Sequence, residues 1–252
     1  MSDVTTLARW IDQARHVVAL TGAGVSTESG IPDFRSAAGL WSQSDPMDVA
    51  SIDGFRADPG RFYRFWAEKF AAFVDAPPSR AHRLLAGLEG RGRMQAIVTQ
   101  NIDGLHQRAG SRNVLEVHGT FQRVRCLSCG NEESLGEVFG RVVMEEGAAP
   151  PSCPVCGHTM LKPDVVLFGE MLPPIFQVAE RESRDADLFL VLGTSLEVFP
   201  VAGLAPLAKR TGARVVILNR DPTPYDREAD LVLQGELGAI SRELTSLLGL
   251  GA

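Results

Sequence analysis

The chain has 252 residues, 44% hydrophobic and 22% charged, with a formal net charge of −6. Length and balance predict one large core-bearing domain, or such a domain with an inserted module. The acidic balance weighs against phosphate-backbone binding, and no run approaches the ~18 apolar residues that span a bilayer, so neither nucleic acid nor membrane is an expected partner.

The segment Met1 to Trp10 carries Asp3 and no apolar core, unlike a secretory signal, so the cytoplasm is the expected location. Leu7, Trp10, Ile11 and Ala14 recur at i, i+3, i+4 and i+7 and predict an amphipathic helix over 4–14. His16 to Leu20 reads as a buried strand. Gly22 and Gly24 follow at once, then a polar segment, Ser26 to Ser29, that could start a helix. Strand, glycine turn and helix N-terminus together can hold a pyrophosphate, because glycines let the backbone approach the anion and free N–H groups point at it. Thr27 stands where the dinucleotide fingerprint has its third glycine, so an ordinary strand-to-helix turn stays open here. Gly30, Ile31 and Pro32 interrupt any helix early. Asp33, Phe34 and Arg35 then place an acid, a ring and a guanidinium just past the turn, as in a loop closing over a cofactor.

Residues 37–60 read as a loop with short helices, and an aromatic-rich helix over Phe62 to Phe73 is ended by Pro77 and Pro78. Ser79 is a good N-cap for a helix over Arg80 to Leu88, with Ala81, Leu84, Leu85 and Leu88 on one stripe. Strands are expected at Gln95 to Thr99, Val114 to Val117, Asp164 to Phe168, Asp187 to Leu192, Arg214 to Leu218 and Asp230 to Leu233. A short helix should stop at Gly110, another bury Leu204, Leu207 and Ala208, and a last one close the chain through Ile240, Leu244 and Leu247. Apolar strands alternating with helices imply a doubly wound α/β fold, a parallel sheet covered on both faces. The segment from Cys126 to Cys156 has a composition of its own and reads as inserted.

Cys126-x-x-Cys129 and Cys153-x-x-Cys156 are the strongest local signal. Each turn offers two thiolates, and two turns complete a four-thiolate zinc site with no position left for a substrate, so the ion should be structural. His158 stands by without being needed. Gln100, Asn101, Ile102 and Asp103 follow a strand and so lie where α/β folds bind ligands, although Asp103 is equally placed to cap the helix beginning at Gly104. His118 also ends a strand, with Gly119 behind it to permit close approach; it suits proton transfer near neutral pH, but a purely structural histidine stays open. His16, His82 and His106 lack that setting and read as structural. Gly193-Thr194-Ser195 and Asn219 end two further strands, as candidate phosphate and ribose contacts or plain loop exits. Lys162 to Glu170 reads as an edge strand, to which a peptide could add.

These motifs, Gly22-Ala23-Gly24 to Arg35, Thr99 to His106, His118-Gly119, the paired C-x-x-C, Phe168-Gly169-Glu170, Gly193 to Ser195 and Asn219, stand in one order over nearly the whole chain. As a set they resemble the sirtuin family, the NAD-dependent protein-lysine deacylases. The resemblance implies a Rossmann-like NAD-binding domain from 1–36, 76–121 and 164–252, a helical insertion with the cofactor loop at 37–75, and a zinc-binding insertion at 122–163. It implies that Gly22, Ala23, Gly24, Thr27, Asp33, Phe34 and Arg35 line the cofactor site, with Gln100, Asn101 and Ile102 at the nicotinamide ribose and Asp103 at the carboxamide. His118 would be the general base, and Asn101 would order the ribose and a water. Gly193, Thr194, Ser195 and Asn219 would bind the adenosine side, with Leu237 beside the adenine. Phe34, the Val166 carbonyl, Phe168, Gly169 and Glu170 would hold the acyl-lysine. Products would be free lysine, nicotinamide and O-acyl-ADP-ribose.

One departure bears on the acyl group. Sirtuins that prefer succinyl or malonyl lysine carry Tyr-x-x-Arg on the small-module helix, where this chain has Trp66-Ala67-Glu68-Lys69. Trp66 lacks the phenol hydroxyl and Lys69 lacks the guanidinium fork, so the expected activity is deacetylation of acetyl-lysine proteins or peptides. The alternatives are removal of other acyl groups such as propionyl or butyryl, or mono-ADP-ribosyl transfer. A monomer is expected.

Overall fold

The computed structural model describes residues 2–34, 39–42, 44–143 and 150–251. The chain starts with α1 (Asp3–Gln13), capped by the Ser2 side chain, which accepts from the Thr5 N–H. It enters β1 (Val17–Thr21), buried at every position. No α-helix follows. Two short 3₁₀ turns over 23–25 and 27–29 end at Gly30, whose φ of 86° takes the chain left-handed just before Pro32, so the segment Ser26 to Ser29 never starts a regular helix.

Three helices then form the helical module: α2 (Pro46–Val49), α3 (Ile52–Ala57) and the aromatic-rich α4 (Pro59–Asp75). Helix α5 (Arg80–Gly90) opens with a capping box between Ser79 and His82 and buries Ala81, Leu84, Leu85 and Leu88, the stripe expected from their spacing. Next come β2 (Ala96–Thr99), the one-turn α6 (Leu105–Arg108) and β3 (Val114–Glu116). The insertion follows with β4 (Gly119–Cys126), β5 (Glu132–Ser134), α7 (Leu135–Val143) and β6 (Leu161–Val165). The chain returns through α8 (Ile175–Asp185), β7 (Leu188–Leu192), α9 (Leu204–Arg210), β8 (Arg214–Asn219), β9 (Leu231–Gln234) and α10 (Leu237–Leu247).

Six strands form one parallel sheet in the order β3-β2-β1-β7-β8-β9. Alternate residues of each strand face opposite layers. Val17 and Ala19 pack with Leu7, Ile11, Leu85 and Leu244 from α1, α5 and α10, while Val18 and Leu20 pack with Ala179, Leu204 and Ala208 from α8 and α9. Strand order reverses between β1 and β7, which is where such sheets open a crevice at their carboxyl ends.

The second sheet is antiparallel, in the order β5-β4-β6. It packs with α3, α4 and α7 around Phe55, Phe62, Tyr63, Trp66, Phe70, Phe121 and Val138. The strand expected at Asp164 to Phe168 lies instead at Leu161–Val165, in this sheet and not the parallel one. Leu161 pairs with Cys126 and Pro163 with Val124, and a free edge is where a proline is tolerated in a sheet. Helices α7 and α8 were not expected, although Leu135, Val138 and Phe139 in α7 and Ile175, Val178 and Ala179 in α8 recur at i, i+3 and i+4. In α8 the apolar residues sit in the first turn, and only Ala179 and Ser183 are fully buried.

Candidate active site

Two turns meet at the reversal point. A Cβ on Gly24 would lie 2.7 Å from the Gly193 Cα, and Gly193 has a φ of 62°, so the turn after β1 and the turn after β7 touch through bare backbone. The Gly24 N–H donates to the Gly193 carbonyl at 2.9 Å. Leu196, buried just beyond, also has a positive φ of 55°, a conformation that costs about 1 kcal/mol for a residue with a Cβ. Its N–H reaches Thr194 Oγ1 at 3.3 Å, and the same oxygen accepts from Gln100 Nε2 at 3.0 Å. The turns after β1, β2 and β7 are thereby tied together.

Asn101 is buried, and its Nδ2 donates to the Gly22 carbonyl at 3.1 Å and to Ser26 Oγ at 3.0 Å. Ser26 in turn donates to Asp103 Oδ2 at 2.7 Å, while Asp103 Oδ1 accepts from the Leu105 N–H at 2.9 Å. The capping role read for Asp103 is therefore present. Burial pushes its carboxyl above the usual range, against the pull of those two donors.

These turns floor a cavity of about 1010 Å³ running between the parallel sheet and the small half. Gly22, Ala23, Gly24, Thr27, Asp33, Phe34, Gln100, Asn101, Ile102, His118, Val166, Phe168, Gly169, Glu170, Gly193, Thr194, Ser195, Asn219 and Leu237 all line it. Asp103 stands behind the lining, held as described, and Arg35 lies outside the described residues. Sequence reasoning missed a second group of lining residues. Phe176, Gln177 and Glu180 come from α8, whose polar sequence concealed it, and Arg220 and Asp221 follow Asn219 directly. Arg220 lies 3.9 Å from Asp33 and 3.0 Å from Asp221, reaching across the mouth of the crevice. The adjacency of Arg220 to the strand-end Asn219 was the available signal.

The His118 Nδ1 faces the Gln100 carbonyl at 3.2 Å. A carbonyl only accepts, so Nδ1 carries the proton and Nε2 keeps its lone pair. Burial holds the imidazole below its ordinary pKa and so neutral near pH 7. Gly119 is needed behind it, because a Cβ there would come within 2.1 Å of the Asp164 carbonyl. The Val166 N–H donates to the His118 carbonyl at 2.8 Å, which places the loop after β6 beside the histidine. His82 and His106 are fully buried elsewhere, their rings 4.6 Å apart, with His106 Nε2 2.9 Å from Thr21 Oγ1.

The inner end of the cavity is apolar, walled by Phe34, Trp41, Ala50, Phe62, Trp66 and Phe121. The Trp66 indole N–H donates to the Val49 carbonyl at 2.8 Å, so its one donor is already used. Lys69 does not line the cavity: its ammonium sits 3.9 Å from the centre of the Phe65 ring and 3.0 Å from the Phe65 carbonyl.

The four cysteine sulfurs lie within 4.8 Å of one another, with 3.6 Å between Cys126 and Cys156 and 3.7 Å between Cys129 and Cys153. Four thiolates about 2.3 Å from a tetrahedral zinc stand roughly 3.8 Å apart, whereas a disulfide needs about 2.05 Å, so the arrangement fits zinc. Each C-x-x-C closes the same way: the Gly130 N–H donates to the Cys126 carbonyl and the Gly157 N–H to the Cys153 carbonyl, both at 2.9 Å. His158 is exposed and outside the cluster.

Comparison with known proteins gives a consistent result. The Sir2 family profile matches residues 22–200. The NAD-dependent protein deacetylase of Oceanobacillus iheyensis is 43% identical over 94% of this chain and 98% of its own. The NAD-dependent protein deacylase of Aeropyrum pernix is 42% identical over 99% of both. Among solved structures, a Sir2 protein with a p53 peptide and NAD⁺ superposes with a TM-score of 0.91 at 37% identity, covering all of both chains.

Proposed function

The chain belongs to the Sir2 family, and from that premise we propose how its own residues carry out NAD-dependent deacetylation of protein lysine. The observation that carries the reading is one neutral histidine, His118, standing between the strand-end crevice and the apolar inner cavity. NAD, when bound, supplies a ribose carbon that releases nicotinamide and a neighbouring hydroxyl that takes the acyl group.

The remaining work falls to the protein. The abutting turns at Gly22–Gly24 and Gly193–Ser195 would receive the pyrophosphate on backbone N–H groups other than those of Gly22, Gly24 and Gly193, which are bonded to Leu192, Gly193 and Leu218. Thr27 would border that turn. Asn219 and Leu237 would flank the adenosine end. Gln100, Asn101 and Ile102 would seat the nicotinamide ribose, with Asp103 acting through Ser26 and the α6 N-terminus. Asp33 and Phe34 would close over the nicotinamide and keep water out, with Arg35 beside them. Nε2 of His118 would take the proton from the ribose hydroxyl, while the Gln100 carbonyl keeps the required tautomer. Val166, Phe168, Gly169 and Glu170 would hold the acyl-lysine. The four thiolates would hold one zinc ion with no open position, a crosslink without chemical work.

The acyl preference follows from the inner wall. A carboxylate-bearing acyl chain would meet Trp66, whose donor is bonded to Val49, and no cation among the described residues of the inner wall, since Lys69 turns away onto Phe65. Burying that carboxylate unpaired is costly. Initial rates with acetyl-, butyryl- and succinyl-lysine peptides at saturating NAD test this: acetyl should be fastest and succinyl slowest, and a faster succinyl rate contradicts the proposal. Label moving from NAD onto protein, with little free lysine formed, would indicate ADP-ribosyl transfer instead. The reading extends to a monomer acting on cytoplasmic proteins, testable by light scattering and cell fractionation.

A further inference from the structure

The segment from Val165 to Met171 is a wall between two cavities. One is the cavity of about 1010 Å³ already described; the other, of about 640 Å³, adjoins it, and Val165, Val166, Glu170 and Met171 line both. Val165 and Leu167 are buried and anchor the wall by packing, but Phe168 and Gly169 are exposed. Packing alone therefore leaves part of the wall unsupported.

Lys162 stands against this wall, lining the second cavity but not the first. It is 7% exposed, unusual for a lysine. Its ammonium meets an acceptor for each of its three protons: the Val165 carbonyl at 2.7 Å, Glu170 Oε2 at 2.9 Å and the Pro163 carbonyl at 3.2 Å. Glu170 Oε2 also accepts from the Leu167 N–H at 2.9 Å, and the Glu170 N–H returns to the Leu167 carbonyl at 3.0 Å. The outer side is tied by the Val166 N–H to His118 and by Phe168 to Ala50 and Ile52.

We propose that Lys162, through Glu170, is a positioning residue that sets the Val166–Gly169 wall for acyl-lysine binding. The inference rests on the deacylase reading above. The ammonium holds the Val165 carbonyl while the Val166 N–H is held by the His118 carbonyl, so the peptide joining Val165 to Val166 is fixed from both sides, with Val166 facing His118. That is the side of the acyl-lysine site. Lys162 touches neither NAD nor the acyl group, so it governs peptide affinity without governing NAD affinity.

The test uses Lys162→Met, which keeps the length and removes the charge, with Lys162→Arg as the conservative rescue. Anisotropy of a labelled acetyl-lysine peptide should give a Kd raised about tenfold for Lys162→Met and largely restored in Lys162→Arg, while calorimetry leaves the NAD Kd within about twofold. Amide exchange at Val166 and Phe168 should quicken in the same variant. Peptide affinity equal to wild type, or peptide and NAD affinities weakened alike, overturns the inference. If Lys162→Met does not fold, Lys162→Gln carries the test, with peptide Kd raised about threefold and unchanged affinity overturning it. Wild-type protein that binds no acetyl-lysine peptide sinks the deacylase reading and this inference together. Wild-type binding with an indifferent Lys162→Met sinks the inference alone.

Discussion

The large half of the molecule is built from strands that bury both faces, Val17 and Ala19 toward α1, α5 and α10, Val18 and Leu20 toward α8 and α9. The small half has one three-stranded sheet, an aromatic cluster around Trp66 and Phe70, and a four-cysteine cluster at its far side. In the first, packing fixes the strand ends so closely that glycine turns can abut and form a backbone-lined crevice. In the second, cross-links add to the aromatic core: the four thiolates and the Lys162–Glu170 pair. On the proposed reading, dinucleotide recognition falls to the half whose glycine turns abut, and acyl-lysine recognition to the half that adds cross-links to an aromatic core.

The strongest way to break that contrast is to cut the thiolate cross-link. Cys126→Ala should unfold the small half and abolish activity, because structural zinc contributes about 10–16 kcal/mol of apparent binding energy to such modules. Amide exchange should show β4–β6 losing protection while β1 and β7 keep theirs. A soluble and fully active variant would refute the structural-zinc account. Next comes the residue at the seam. His118→Ala should lower deacylation by on the order of 10²–10⁴-fold with NAD affinity retained, since the base acts after the cofactor is seated. Loss of NAD binding in step with activity would make His118 a binding residue.

The core-held half should show its own sensitivity to acid. Burial lowers the His82 pKa to about 4, and lowers that of His106 as well, with His82 beside it adding repulsion. The unfolded chain, with ordinary values near 6.5, then takes up protons that the folded chain refuses, so stability is full above about pH 6.5 and falls as pH drops toward 4. The loss from His82 is about 3 kcal/mol. Melting temperature followed from pH 7.5 to 5 should fall and should flatten in His82→Gln; a flat wild-type profile contradicts the assignment. Smallest is Gly24→Ala, whose Cβ would press on Gly193 at 2.7 Å. It should cost about 1–3 kcal/mol of stability and weaken NAD more than peptide. Equal weakening would mean that the two halves do not divide recognition as described.

The same contrast explains what the sequence disclosed. Apolar runs are local signals: the strands Leu188–Leu192 and Arg214–Asn219 announce themselves by composition, and their ends place Gly193 and Asn219 on the crevice. Cys126, Cys129, Cys153 and Cys156 were legible because ligand spacing is local too. Helix α8 was passed over, since its apolar residues, Ile175, Phe176, Val178 and Ala179, are confined to its first turns and charged residues fill the rest. The bounds of strand β6 escape a local reading because its register depends on Cys126 and Val124, residues far back along the chain. The reach of Arg220 to Asp33 is a product of tertiary geometry that no periodicity encodes, whereas the Lys69–Phe65 contact is a local i,i+4 pair on α4.

The central claim is that both halves act on one reaction at His118. Mass spectrometry of an acetyl-lysine peptide incubated with the protein, with and without NAD, tests it most directly. The account predicts deacetylated peptide only when NAD is present, together with nicotinamide and O-acetyl-ADP-ribose. Peptide left untouched while NAD is consumed would contradict it.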